Sequence, residues 1–326
     1  MRDEIDLGEV ITAMVTPWKG DDKQGIAFDE VKNLVDYLGK NGTTTYLVNG
    51  STGESAHMTP QEWEENIRCI RACAPIGKKV MVSISSQQTG DAIAKAQKAF
   101  ELGADAILVS APAYTKPSKQ ALFIYFNSIA QAIKGKPMMI YNIPGRTAKE
   151  IPPTTVAQLA HENPNIIGIK QSMPDMDKVS QLKRLCPPDF QLYSGDDSLT
   201  LPMLALGAKG VVSVMSHLEG KKIQSMIRAF KNGMVPLAQS YHYMLYPLFS
   251  RVSMHDKENG DDYANPLPIK EALYQRGLIS SPRASTLGEM SAYSKQEMQD
   301  VLAQVQKSTQ SFDSKNAAFL CQCRSL

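Results

Sequence analysis

The chain has 326 residues, with 35 basic and 33 acidic side chains and a formal net charge of +2. Charges of both signs are interspersed, which excludes the basic face of a nucleic-acid or anionic-membrane binder and leaves small molecules or other subunits as partners. No apolar run reaches membrane-spanning length and the start, Met-Arg-Asp-Glu-Ile-Asp, has no apolar signal core, so a cytoplasmic protein is expected.

Five cysteines, an odd number, argue against a disulfide framework. Cys69 and Cys73 lie one helical turn apart and read as packed helix cysteines; Cys321 and Cys323 fall in the terminal tail. The histidines His57, His161, His217, His242 and His255 show no ligand spacing, and no metal is expected.

In chain order, Val10 to Thr16 is an apolar strand stopped by Pro17, and Phe28–Lys40 carries apolar residues at helical spacing. The same strand-then-helix unit recurs at Thr45–Val48 with Thr59–Cys73, Val80–Ile84 with Thr89–Leu102, and Ala106–Val109 with Lys119–Ile133. It continues at Met138–Asn142 with Thr154–His161 and at Ile166–Lys170 with Met176–Leu185. The last two units are Phe190–Ser194 with Asp197–Leu206 and Val211–Met215 with Glu219–Phe230. Three of the strands are entered through a glycine that ends a helix, at Gly42, Gly103 and Gly207. Eight such units imply a parallel sheet closed as a (β/α)₈ TIM barrel of the α/β class over residues 1–231. An open doubly wound sheet is the alternative, weakened because no glycine-rich phosphate loop follows any strand. Residues 232–307 read as a C-terminal helical region, with helices at Val235–Val252, Pro266–Gly277 and Ser294–Lys307, and residues 308–326 as a disordered tail.

In such a barrel the chemistry sits at the carboxyl ends of the strands. Those ends carry Gly50-Ser51-Thr52-Gly53-Glu54, Pro112-Ala113-Tyr114, Tyr141-Asn142-Ile143-Pro144-Gly145-Arg146-Thr147, Lys170, Ser194-Gly195-Asp196-Asp197, and Ser213 with Ser216. Lys170 closes the apolar run Ile166-Ile167-Gly168-Ile169, where desolvation disfavours the ammonium and favours the neutral amine that attacks a carbonyl. An amine nucleophile, hydroxyls for proton relay and a guanidinium for a carboxylate are what enamine chemistry on a 2-oxo acid requires. Taken singly, the same residues have plainer readings: Ser51-Thr52 as a helix cap, Arg146 paired with a surface acid, Asp196-Asp197 as the cap of the seventh helix, and Asn265–Lys270 as a proline-bounded helix start.

These strand-end segments, with Gly168-Ile169-Lys170 and Asn265-Pro266-Leu267-Pro268-Ile269-Lys270, resemble the pyruvate-dependent class I aldolase superfamily of dihydrodipicolinate synthase and N-acetylneuraminate lyase over roughly residues 8 to 300. Arg146 and the 265–270 segment look like the dihydrodipicolinate synthase branch. The resemblance implies condensation of pyruvate with aspartate semialdehyde to 4-hydroxy-tetrahydrodipicolinate, on the way to diaminopimelate and lysine, with no cofactor beyond a covalent Schiff base. It makes Lys170 the Schiff-base lysine, Tyr141 the proton donor and acceptor, and Ser51 and Tyr114 the rest of a hydroxyl relay. Thr52 and the backbone of Val212 would hold pyruvate, and Arg146 the semialdehyde carboxylate. Tyr114 would reach a neighbouring subunit's site, making a dimer the smallest active unit and a tetramer of two tight dimers the usual assembly. In lysine-inhibited members an allosteric pocket matches Ser55, Ala56, Pro60, Trp63, Gln87, Asp91 and Ala113, with departures at Pro60, Trp63, Gln87 and Ala113. Other readings are an N-acetylneuraminate or 2-keto-3-deoxy sugar acid lyase, and a catalytically silent metabolite-binding barrel.

Overall fold

The computed structural model describes residues 5–20, 25–284 and 288–323. Residues 1–4 of the amino-terminal stretch and 324–326 of the tail lie outside the described residues, as do the side chains of Cys321 and Cys323.

Eight parallel strands close into a barrel in chain order. They are β1 (Val10–Ala13), β2 (Thr45–Val48), β3 (Lys79–Ile84), β4 (Ala106–Ser110), β5 (Met138–Asn142), β6 (Ile166–Gln171), β7 (Gln191–Ser194) and β8 (Gly210–Ser213). Around them run α1 (Phe28–Lys40), α2 (Pro60–Cys73), α3 (Thr89–Glu101), α4 (Lys119–Ala132), the single turn α5 (Pro144–Thr147), α6 (Pro153–Glu162), α7 (Met176–Leu185), α8 (Thr200–Ala205) and α9 (Ser216–Lys231). The strands read as unbroken apolar runs because both of their faces are covered. On β5, Met138 and Ile140 face the helices, while Met139 and Tyr141 join the interior layer with Ile11, Leu47, Leu108 and Val212. Each fully buried aliphatic side chain contributes about 1.5–3 kcal/mol.

Gly42, Gly103 and Gly207 end their helices with φ of +95°, +94° and +89°, a left-handed turn that a side chain would oppose. The capping box expected of a helix start is complete at α2, where Thr59 Oγ1 accepts from the Glu62 N–H and the Thr59 N–H donates to the Glu62 carboxylate. Cys69 and Cys73 are free thiols packed against the core.

The amino-terminal end of the barrel is plugged. Leu7 is fully buried in the interior layer, the Tyr193 hydroxyl donates to the Gly8 carbonyl at 2.7 Å, and the Gln191 amide donates to the Ile5 carbonyl. Among the described residues, the interior is therefore closed at this end and opens at the carboxyl ends of the strands.

Past α9, α10 (Val235–Phe249) packs on α9, a two-stranded antiparallel ribbon pairs β9 (Met254–His255) with β10 (Asp262–Tyr263), and α11 (Leu267–Gln275) and α12 (Ala292–Cys323) follow. The ribbon lies between the first two helices expected of this region. It is organised by Asp256, whose carboxylate accepts from the hydroxyls of Ser291, Ser294 and Tyr263 and from the Glu258 and Asn259 N–H groups. The final helix does not stop at Lys307 but runs to Cys323. Packing explains the first part of the extension: the Phe312 ring lies 4.7 Å from that of Tyr241 on α10, and Thr309 Oγ1 donates to the sulfur of Met244. Through residue 312 these contacts support a helix whose polar, aperiodic sequence gives it no stability alone.

Candidate active site

Lys170 emerges near the end of β6, 5% exposed. A register shift between β5 and β6 decides what it faces: Met138 pairs with Ile166 but Met139 with Gly168, so β6 carries an extra residue, Ile167. Without that bulge Ile169 would stand beside Tyr141; with it, Lys170 does. Gly168 is required here, because a Cβ would come within 2.2 Å of the Gln191 carbonyl oxygen on β7. The result is a Lys170 ammonium nitrogen 4.2 Å from the centre of the Tyr141 ring, itself 7% exposed. Asn142 secures the two strand ends, its side-chain amide donating to Gln171 Oε1 at 3.0 Å while its Oδ1 accepts the Ile151 N–H.

Both side chains line a cavity of about 180 Å³ whose wall includes Ser51, Thr52, Arg146 and Asp196. Thr52 is not a helix cap: its hydroxyl accepts from the Asn265 amide at 2.9 Å. Arg146 projects from the α5 turn, and its Nη2 donates to the Asn265 carbonyl at 2.9 Å. Burial raises the Asp196 carboxyl above its ordinary pKa, with the nearby Lys170 charge pulling the other way.

Several expected residues fall elsewhere. Tyr114 does not line the cavity of its own chain. The loop after β4 turns outward through positive φ at Tyr114 (67°) and Lys116 (46°), and the Tyr114 side chain is 88% exposed. The Val212 side chain belongs to the closed interior layer, and Val214, just past β8, lines the cavity. Ser213 and Ser216 are wholly buried and structural: Ser213 donates to Asp197, and Ser216 to Thr12 Oγ1 at 2.9 Å. Asp197 does not cap the helix that follows it. Its carboxylate accepts the Val214 and Met215 N–H groups at 3.0 and 3.1 Å, binding the β7 end to the turn after β8.

A wider cavity of about 520 Å³ shares Ser51, Tyr141, Arg146 and Asn265 with the first. Its far wall brings together Ser55, Ala56, Trp63, Gln87, Asp91 and Ala113, the residues matched above to an allosteric pocket; Pro60 stands aside as the first residue of α2. Among the described residues no group of three His, Cys, Asp or Glu side chains could hold a metal, and no helix is long and apolar enough to cross a membrane.

Three features escaped the sequence reading. The Ser172 hydroxyl, two residues past Lys170, is buried with no hydrogen-bond partner among the described residues. Asn265 touches both Thr52 and Arg146. Lys270 is 0% exposed and ion-paired with Glu54. The last two were visible only as a motif, since their partners are more than a hundred residues away in the chain.

The comparisons agree with this geometry. The model of the Dihydrodipicolinate synthetase family matches residues 6–305. A 4-hydroxy-tetrahydrodipicolinate synthase of Nostoc sp. is 40% identical over 91% of this chain and 97% of its own, and one of Cyanothece sp. 43% identical over 83% and 88%. Among solved structures, the DHDPS of Cyanidioschyzon merolae with lysine bound is 36% identical, with a TM-score of 0.86 over 92% of this chain and 98% of that one. A closed eight-stranded barrel with a lysine at the end of its sixth strand, matched over nearly its whole length, belongs to the dihydrodipicolinate synthetase family.

Proposed function

We propose that this chain condenses pyruvate with aspartate semialdehyde to give 4-hydroxy-tetrahydrodipicolinate, by way of a Schiff base on Lys170. The observation that carries the reading is the buried Lys170 amine, held over the Tyr141 ring in a cavity whose rim bears Arg146.

The Lys170 Nζ attacks the C2 carbonyl of pyruvate, and the carbinolamine loses water to form the imine. Tyr141, adjacent in register, takes and returns the protons of these steps and of imine-to-enamine conversion, with Ser51 relaying them. Thr52, its hydroxyl oriented by Asn265, holds the pyruvate carboxylate. Arg146 receives the semialdehyde carboxylate, which suits a guanidinium better than the polyol of a sugar-acid aldehyde would. The enamine carbon then attacks the aldehyde, and the amine of the new product displaces Lys170 from the imine carbon as the ring closes.

Tyr114 serves a second copy of the chain. A phenol 88% exposed, on a backbone of positive φ, is poised for a neighbour's site, which makes a dimer the smallest active unit and a tetramer of two dimers its assembly. The wider cavity is the regulatory pocket, and its Trp63, Gln87 and Ala113 alter the recognition of lysine there.

Turnover tests the reading: pyruvate with aspartate semialdehyde should give product, and N-acetylneuraminate should not be cleaved. The reverse preference would move the chain to the sugar-acid lyases.

A further inference from the structure

Of the Asn265–Lys270 segment, the mark of a branch in the sequence, only Asn265 has entered the reaction so far, through Thr52. We propose that this segment positions the Ser51–Glu54 loop against Lys170, so that the helical appendix is a working part of the active site. The inference rests on Lys170 as the Schiff-base residue and adds residues that act through the loop.

The segment holds the loop at two points. At its start, the Asn265 amide donates to Thr52 Oγ1 at 2.9 Å, and the Asn265 carbonyl accepts from Arg146 at 2.9 Å. At its end, the Lys270 ammonium is ion-paired with the Glu54 carboxylate and donates to the Arg283 carbonyl at 2.7 Å. Trp18 donates its indole N–H to the same Glu54 oxygen at 3.1 Å, and Lys270 lies over the Trp18 ring. Glu54 therefore joins three separate segments: the strand-two loop, the chain after β1, and α11.

Two facts make this positioning rather than stability alone. Glu54 sits at φ 56°, a left-handed conformation unfavourable for a residue with a side chain, which surrounding contacts must hold. A buried ion pair is also a weak stability device, since well-packed apolar residues of the same volume often serve as well; the specificity it confers is of place. Lys270 is 0% exposed and lines neither cavity, so any effect it has on kinetics passes through the residues it touches, Glu54 foremost.

The test is the Glu54→Gln/Lys270→Met double variant, which removes both charges at similar volume, beside Asn265→Ala, with melting temperature, KM for each substrate and borohydride trapping of pyruvate read on all three proteins. The double variant should melt near the wild type, yet its kcat/KM for pyruvate should fall roughly 10- to 100-fold, the cost of a catalytic group displaced by about an ångström. Asn265→Ala removes the Thr52 contact but keeps the carbonyl that meets Arg146. It should raise the KM for pyruvate about tenfold and leave that for the aldehyde unchanged. A double variant with the melting temperature and pyruvate kcat/KM of the wild type overturns the proposal. If the double variant does not fold, an Asn265→Ala enzyme with unchanged pyruvate KM overturns it. Failure of the wild type to trap pyruvate on Lys170 would instead overturn the Schiff-base assignment, so the two failures are distinct.

Discussion

Lys170 and Lys270 are both removed from water, and the fold treats them in opposite ways. Lys270, in the appendix, has a carboxylate, a backbone carbonyl and an indole face around it. Lys170, at the end of β6, has the Tyr141 ring and no hydrogen bond or ion pair among the described residues. Burial pulls the Lys270 ammonium down to about 8, against the pull of Glu54. A buried nitrogen base with a full set of partners is structural, and one left open in a cavity is available for chemistry. His217 shows a third outcome. It is fully buried, with one ring nitrogen at the Val214 carbonyl (2.7 Å) and the other accepting the Val15 N–H (3.2 Å), an arrangement that only the neutral ring can satisfy.

The contrast yields four predictions, in decreasing order of effect. Lys170→Ala should lower turnover by about 10⁴-fold or more, with a melting temperature close to the wild type because Lys170 makes no hydrogen bond or ion pair among the described residues. A marked loss of stability would mean that Lys170 has a structural partner after all. Lys270→Met should do the reverse in thermal and denaturant unfolding, costing about 3–5 kcal/mol by stranding the Glu54 carboxylate. Equality with the wild type would dissolve the distinction between the two lysines.

His217 gives the pH prediction. Burial lowers its pKa from 6.5 to about 4. Above pH 6.5 the ring is neutral in both states and its contribution to stability is intact. Between pH 6.5 and 4 the unfolded chain binds a proton that the folded one does not, so stability falls as pH falls, by up to about 1.4 kcal/mol per pH unit. Below about pH 4 both states are protonated and the loss levels off. His217→Gln should flatten that slope in urea titrations across this window. Smallest is Arg146→Ala, which should reduce kcat/KM for the aldehyde about 10- to 100-fold while leaving pyruvate trapping intact. Loss of both would count against its assignment to the second substrate.

The barrel was legible because strands covered on both faces leave continuous apolar runs, and because helix ends advertise themselves with Gly42, Gly103 and Gly207. Within the site, Lys170, Tyr141, Ser51, Thr52 and Arg146 could be read since each sits where a strand or its following turn must deliver it to the mouth. Other parts had no local signal. The extra Ile167 on β6 changes which side chain stands beside Tyr141, yet nothing in Ile166-Ile167-Gly168-Ile169 distinguishes a bulged strand from a regular one. The outward turn at Tyr114, the inward hydrogen bonds of Ser213 and Ser216, and the pairing of Lys270 with Glu54 depend on neighbours remote in sequence. The continuation of α12 past Lys307 brings Phe312 against Tyr241, a contact that a window of local polarity does not register.

The difference between the two lysines is tested most directly by incubating the protein with pyruvate and borohydride, then mapping the added mass by peptide sequencing in a mass spectrometer. The expected product carries the reduced pyruvate adduct on Lys170 alone, and none on Lys270. An unmodified Lys170, or an adduct on another lysine, would contradict the central claim.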